Sequence, residues 1–348
     1  MLKSIYLQNF RSYKKADFEF SPTSTLIVGP NTAGKSNLLE AIFLISTGKS
    51  NRADKDPQMI YFGKEIGRVK ASLEDSELEL EVILTNGNLG GNKSQFKKFL
   101  LNGVAKRRVD FEGNLPAVLF SPQDLDIIVD SPTLRREFLN NVLEQVGRDY
   151  RIANIAYIKA LRQRNALLEV ARDSGSKVIK QFEYWDNQII ENGQIITKKR
   201  GEFIEFVNSS PKDIFEFKVN YDKSEISESR LLQYEREELA AGVTLVGPHR
   251  DDFSLLMKNH DLHDVRYFGS RGQQRLAVLQ LKSLELEYVE KVLGKKPLLI
   301  LDDIFSELDS GHIKLILEQM GKQQTIISTT HKEFVSAKYL KKMKVIKL

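Results

Sequence analysis

Gly29-Pro30-Asn31-Thr32-Ala33-Gly34-Lys35-Ser36 follows the pattern G-x-x-x-x-G-K-[ST] at every fixed position. An apolar run, Leu26-Ile27-Val28, leads into it. Residues 36 to about 47 lead out, with Leu38, Leu39, Ile42 and Phe43 at helical spacing. A strand, a glycine turn and a helix in this order form a phosphate cradle. Glycines let the backbone curl until its N–H groups face inward, and the helix N-terminus adds its positive end. Lys35 would reach the β- and γ-phosphates of ATP, and the Ser36 hydroxyl would coordinate Mg2+. The alternative is an accidental glycine turn, which the flanking strand and helix weigh against.

Lys296-Pro297-Leu298-Leu299-Ile300-Leu301-Asp302-Asp303 supplies a second half. Four apolar residues ending in two acids read as a buried parallel strand with carboxylates at its tip. Asp302 would hold Mg2+ through water, and Asp303 would orient or deprotonate the attacking water. Lys35 and Asp302 stand 267 residues apart, too far for a simple phosphate-loop domain, so a large insertion separates them.

The insertion is legible as a change of character. The first thirty residues alternate as strands do, and after the helix at 36 to about 47 further strand candidates follow at about 67–73, 77–85, 96–101 and 116–120. From 133 to about 207 the apolar residues keep helical spacing, and a turn at Asp173-Ser174-Gly175-Ser176 divides two helices. A weak strand (215 to 221) and a polar helix (225 to 239) lead back to β character at 244 to 247, 252 to 257, 297 to 301 and 325 to 328. The reading gives three parts: 1–125 as the first part of a head, 126–240 as an inserted helical lobe, and 241–348 as the rest of the head.

Ser270-Arg271-Gly272-Gln273-Gln274-Arg275 opens an apolar helix shortly before the acidic motif, where ABC ATPases carry their signature segment. Asp309, in Ser306-Glu307-Leu308-Asp309, takes the D-loop position, and His331 the switch-histidine position. Five motifs in this order identify an ABC ATPase. The fold class is therefore α/β: a P-loop head of mixed sheet and helices, plus the helical lobe.

Within that superfamily the chain resembles the RecF family over essentially its whole length. The resemblance is carried by Asn9-Phe10-Arg11-Ser12-Tyr13, Asn37-Leu38-Leu39-Glu40-Ala41-Ile42, Phe120-Ser121-Pro122-Gln123-Asp124-Leu125, Arg135-Arg136-Glu137-Phe138-Leu139 and Gly247-Pro248-His249-Arg250-Asp251-Asp252, with the motifs above. It implies ATP bound between two subunits, the signature of one facing the phosphate loop of the other. Ser270, Gly272 and Gln273 would contact the γ-phosphate in trans, with Asp309 at the dimer interface. Arg11 would approach the nucleotide, and Gln123 is the candidate switch glutamine and metal neighbour, at a position where the family often has an acid. It also implies weak, DNA-stimulated ATP hydrolysis and binding to double-stranded DNA at gaps and single/double-strand junctions. RecR, with RecO, would be a partner in loading recombinase. Thr32 stands where the family usually has glycine, which the loop accommodates if φ there stays negative.

Composition sets the bounds. No cysteine occurs among 348 residues, which excludes disulfides, thiolate zinc sites and cysteine catalysis. The N-terminus lacks the form of a signal peptide, and no apolar run approaches the ~20 residues of a membrane span, so a cytoplasmic protein without membrane partners is expected. A net charge of +5 mildly favours a polyanionic partner. Lys97-Lys98, Lys106-Arg107-Arg108, Arg135-Arg136, Arg162-Gln163-Arg164, Lys198-Lys199-Arg200 and Lys295-Lys296 are the candidate phosphate contacts. Arg135-Arg136 has the alternative of pairing with acids inside the fold. His249 reads either as a structural hydrogen-bonded residue or as a catalyst. Trp185 reads either as lobe core or as a base-stacking platform. A transporter subunit would place its signature much nearer the phosphate loop than the 235 residues from Lys35 to Ser270. A long coiled-coil machine would show sustained heptads, which the insertion lacks.

Overall fold

The computed structural model describes every residue except 75–76, 175–178, 260, 305–321 and 336–339. In chain order the elements used below are β1 (Leu2–Phe10), β2 (Tyr13–Glu19), β3 (Ser24–Val28), α1 (Lys35–Thr47), β4 (Ile66–Leu73), β5 (Glu79–Thr85), β6 (Lys97–Leu101), β7 (Val104–Lys106) and β8 (Ala117–Phe120). There follow α2 (Pro132–Val146), α3 (Arg148–Ser174), α4 (Ile179–Ser209), β9 (Lys218–Asp222), β10 (Asp252–Asn259), β11 (Asp261–Asp264) and α5 (Arg271–Leu293). The last are β12 (Leu298–Asp302), β13 (Thr325–Thr329) and β14 (Lys344–Lys347).

The chain divides into two compact units, one of Met1–Asp124 with Glu285–Leu348 and one of Leu125–Leu284. In the first, β2-β1-β4-β5-β6-β7 make an antiparallel sheet and β8-β12-β13-β3-β14 a parallel one. All five residues of β12 and of β13 are buried. That suits strands covered on both faces; β12 accordingly runs apolar from Leu298 to Leu301, while β13 sets two isoleucines among buried hydroxyl residues. Helix α1 sets Leu38, Leu39 and Ile42 into the core with Ile27, Ile300 and Ile326.

In the second unit the long helices α3 and α4 pack on each other, with Ala153, Tyr157, Ile189 and Ile196 buried. Trp185 is partly buried in α4, its ring edge-on to Tyr184 at 4.7 Å. A three-stranded antiparallel sheet, β9-β10-β11, completes this unit. Residues 241–284, placed with the head by the sequence reading, thus cluster with the helices. The cause is local: β10 pairs with β9, and Arg135 and Arg200 on the helices hold Asp252 and Asp251 at 2.6 and 2.9 Å.

The expected strand at 244 to 247 is not one. Its donors go to side chains instead: Thr244 N–H to Asn165 Oδ1 at 2.9 Å and Leu245 N–H to Glu238 Oε1 at 2.8 Å. A 3-10 turn, Pro248–Arg250, then follows. The expected polar helix is two short ones, Glu228–Gln233 and Glu235–Ala241.

Candidate functional site

The register of the parallel sheet assembles the site. Val28 lies opposite Thr329, Ser328 opposite Asp302, and Leu301 opposite Phe120. Four strands therefore end level. The phosphate loop after β3, the acids at the tip of β12, His331 after β13 and Gln123 after β8 all emerge at one edge, the carboxyl edge where open α/β sheets bind ligands. Gly29 N–H, donating to Thr329 O at 3.4 Å, ties the start of the loop to the neighbouring strand.

Residues 29 to 36 turn from β3 into α1. Lys35 is buried, and its Nζ donates to the carbonyls of Gly29 and Pro30 at 2.8 and 3.0 Å, lying across the loop. Gly34 has φ +104, and a Cβ there would meet Tyr13 Oη at 2.7 Å, so only glycine fits. Tyr13 donates that hydroxyl to Gly34 O at 3.1 Å, and burial pushes its pKa up to about 12. Thr32 departs from the expectation of negative φ: it sits at +72. A β-branched residue in the left-handed region is strained, by about 1–2 kcal/mol. The loop holds it there because Ala33 N–H closes a turn onto Pro30 O at 3.2 Å.

Asp302 Oδ1 accepts from Ser36 Oγ at 3.2 Å and from Ser328 Oγ at 2.6 Å. The Ser328 hydroxyl in turn accepts from Asp303 N–H at 3.1 Å, and Asp303 takes φ +49. This conformation turns the second acid out of the strand direction at the moment the strand ends. A hydroxyl and a carboxylate oxygen converging at the loop's helix suit a hard cation such as Mg2+. Mg2+ is commonly held by one or two protein oxygens with phosphates and water supplying the rest. Among the described residues no cluster of three or more His, Cys, Asp or Glu forms an all-protein metal cage. Gln123 is exposed in the 3-10 turn Pro122–Leu125, and His331 is exposed just beyond β13.

Arg11 is tied to α1. Its Nε and Nη2 donate to the two oxygens of Glu40 at 2.7 and 2.5 Å, and Nη1 to Gln58 O at 2.8 Å. Glu40 is wholly buried, one turn after Ser36 on α1, and also accepts from Ser50 Oγ at 2.5 Å. This knot fixes the wall of a groove of 460 Å³ that Ser12, Asn37, Tyr61 and Phe62 also line. Sequence reasoning gave no role to Tyr13, Glu40 or Ser328. The signal for Glu40 was available: an acid in an otherwise apolar helix face must find a cation.

In the second unit the signature segment begins α5. Ser270 N–H donates to Gln273 Oε1 at 2.9 Å and Gln273 N–H to Ser270 Oγ at 3.3 Å, a reciprocal capping box. Ser270, Arg271, Gly272 and Gln273 are all exposed. A Cβ on Gly272 would meet only Ser270 Oγ, at 3.9 Å. Among the described residues nothing requires glycine there. Asp309 lies outside the described residues.

The sequence matches the family described as RecF/RecN/SMC N terminal domain over residues 1–347. It is 33% identical to the DNA replication and repair protein RecF of Lachnospira eligens, covering 97% of this chain and 94% of that one. The chain belongs to the RecF family. A second relative of the same name, from Crocosphaera subtropica, is 35% identical and covers 100% of this chain and 97% of its own. A solved structure described as the recombination mediator protein RecF-ATPrS in RecFOR pathway matches at TM-score 0.85 and 33% identity, over 97% of this chain and 94% of that one. Family membership makes this an ABC-type ATPase head fold.

The basic clusters separate by what they touch. Arg135 is held by Asp252, Arg164 by Asp186 and Glu238, and Arg200 by Asp251, all three bases nearly fully buried. Lys97 pairs with Asp56 at 2.6 Å, and Lys199 with Glu202 at 3.0 Å. Lys98, Lys106, Arg162 and Lys198 are exposed, as is Arg107, which pairs with Asp110 at 3.2 Å. His249 is structural. Its Nε2 lies 3.0 Å from Thr244 O, which can only accept, so Nε2 carries the proton and Nδ1 accepts from Tyr157 Oη at 2.7 Å. Burial lowers its pKa to about 4. No helix of the described residues is long and apolar enough to cross a membrane.

Proposed function

We propose that this protein is an ATP-switched DNA-binding ATPase of recombinational repair. It binds ATP and Mg2+ at residues 29 to 36, pairs with a second copy across the nucleotide, and in that state holds double-stranded DNA near gaps and junctions. The observation that carries the reading is the meeting of Ser36 and Asp302 at 3.2 Å beside Lys35. A bound Mg2+ would neutralise phosphate charge there. Lys35 exchanges its two carbonyl acceptors for the β- and γ-phosphates. Asp303 orients or deprotonates the attacking water, with Gln123 and His331 flanking it. Arg11, fixed by Glu40, adds positive charge at the nucleotide's side.

Ser270, Gly272 and Gln273 of one copy then contact the γ-phosphate held by the other, with Asp309 at the interface. Such a switch needs ATP to favour the paired state by about 10⁴-fold, or ~5.5 kcal/mol, to move most of the protein. Exposed bases such as Lys106 and Arg107 serve the DNA phosphates. Slow hydrolysis releases the clamp. In this reading it is a cytoplasmic protein acting with RecR and RecO to load recombinase on single strands, a setting supported by relatives named for DNA replication and repair and for the RecFOR pathway. Met1–Asp124 with Glu285–Leu348 form the nucleotide-binding head of this machine, and Leu125–Leu284 its second unit, which carries the signature segment.

The test is ATP hydrolysis by the purified chain with and without duplex DNA at two salt concentrations. Stimulation by DNA that fades with salt is expected. Hydrolysis indifferent to DNA at both salts would remove DNA as the effector.

A further inference from the structure

Two adjacent aromatic side chains stand in solvent just before the signature segment. Tyr267 is 71% exposed and Phe268 65%. Among the described residues no other neighbouring pair of aromatics is so open. They are not on a loose loop. Val265, fully buried, roots the short helix Val265–Phe268, and Asp264 caps it by accepting from Arg266 N–H at 2.8 Å. Gln274 Nε2 then donates to Val265 O and Arg266 O at 3.3 and 3.0 Å, tying this turn to the first turn of α5. The aromatics and the capping box of Ser270 and Gln273 therefore form one rigid edge.

The edge has a defined chemistry. Arg266 lies over the Tyr267 ring at 5.3 Å, and the His263 ring sits 5.0 Å from Phe268. Arg271 and Arg275 are exposed and Arg266 partly so, with Asp264, the cap, as the acid at the start of this edge. Rigid aromatics beside arginines make up the anchor chemistry of protein interfaces, and rigidly held rings lose little entropy on docking. A cationic surface of this kind is complementary to the anionic triphosphate seated in another copy's loop.

We propose that Tyr267 and Phe268 are the apolar anchor of the ATP-closed homodimer, packing on the second copy beside its bound nucleotide. The proposal rests on the reading above that the signature faces a partner's phosphate loop. Phe268 is two residues from Ser270, at most ~7 Å of chain, so whatever meets Ser270 meets it. Pairing would remove both rings from water, which gives closure an apolar driving force in addition to the phosphate contacts.

Sedimentation velocity on the full chain, with and without ATP and Mg2+, tests this with Tyr267 and Phe268 both changed to Ser. ATP affinity is measured in parallel with the protein held dilute enough to stay monomeric. The wild type is expected to pair with ATP, and the double variant to pair at least about 30-fold more weakly, the loss of one hot-spot aromatic or more. Its monomeric ATP affinity should be unchanged. Equal pairing by wild type and variant overturns the anchor and leaves the ATP-bridged dimer standing. A wild type that stays monomeric with ATP removes both. A variant that pairs normally but loses DNA binding assigns the aromatics to nucleic acid instead, which also overturns the proposal.

Discussion

Ser36 and Asp302 are 266 residues apart in sequence and share one hydrogen bond of 3.2 Å. Asp302 gains its place from the strand it ends, and Ser36 from the helix it begins. Asp302→Asn keeps the size and removes the charge a divalent cation needs. Hydrolysis should fall by about 10²-fold or more, with ATP binding far less affected. Phosphate release against a Mg2+ titration, beside nucleotide binding, measures both.

Asp303 is oriented by its N–H on the Ser328 hydroxyl and by its positive φ. If it acts on the attacking water, Asp303→Asn should slow hydrolysis by about 10²–10⁴-fold while ATP still drives pairing. Single-turnover hydrolysis, read beside sedimentation, separates the two. Unchanged hydrolysis would take Asp303 out of that role.

Thr32 holds a left-handed backbone that glycine adopts without strain. Thr32→Gly should raise stability by about 1 kcal/mol, the relief of strain less the extra freedom of the unfolded chain. Urea unfolding gives the answer, and Thr32→Ala, which keeps a Cβ, should recover little of the gain.

Glu40 and Arg11 form a bidentate pair with the carboxylate fully buried. Glu40→Ala leaves a guanidinium, its side chain 21% exposed, without its anion, and should cost about 3–5 kcal/mol. Arg11→Met combined with Glu40→Met should cost much less, since no charge is then stranded. Thermal melts of the two variants would rank them, and the reverse order would refute the account.

His249 is neutral in the fold, with its pKa lowered to about 4 by burial against an ordinary value near 6.5. Between these values the unfolded chain binds the proton and the native one does not, so stability falls as pH drops from about 6.5 to 4 and is then flat. The loss is on the order of 3 kcal/mol. Urea midpoints measured across that window should show a slope in wild type that His249→Asn flattens.

The phosphate loop, its flanking strand and helix, and the acidic strand were all legible because each is a short local pattern with one physical reading. So was the change to helical spacing at 133. What sequence could not reveal was pairing at a distance. Ser328 became a ligand of Asp302 only through strand register, and Glu40 met Arg11 only once α1 lay beside the β1–β2 turn. Arg164 and Arg200 read as surface bases and are buried partners of acids, and Arg135 takes the internal acid pairing that stood as its alternative, a distinction that depends on tertiary neighbours. The 244 to 247 stretch misled for the opposite reason: its residues favour a strand, and side-chain acceptors took the donors a strand would have used.

The strand β13 lies between β3 and β12, so the strand that launches the phosphate loop and the strand that ends in carboxylates are two sheet spacings apart, ~10 Å. The middle strand is a caliper. It sets the jaw width of the catalytic edge without supplying the nucleophile or the cradle. A slip of one residue would set Ile327 or Thr329 opposite Asp302 in place of Ser328 and, because side chains alternate, turn the strand's faces over. The calibration is held by five buried side chains along β13. Changes deep in this buried strand should thus register as faults in chemistry before they register as unfolding.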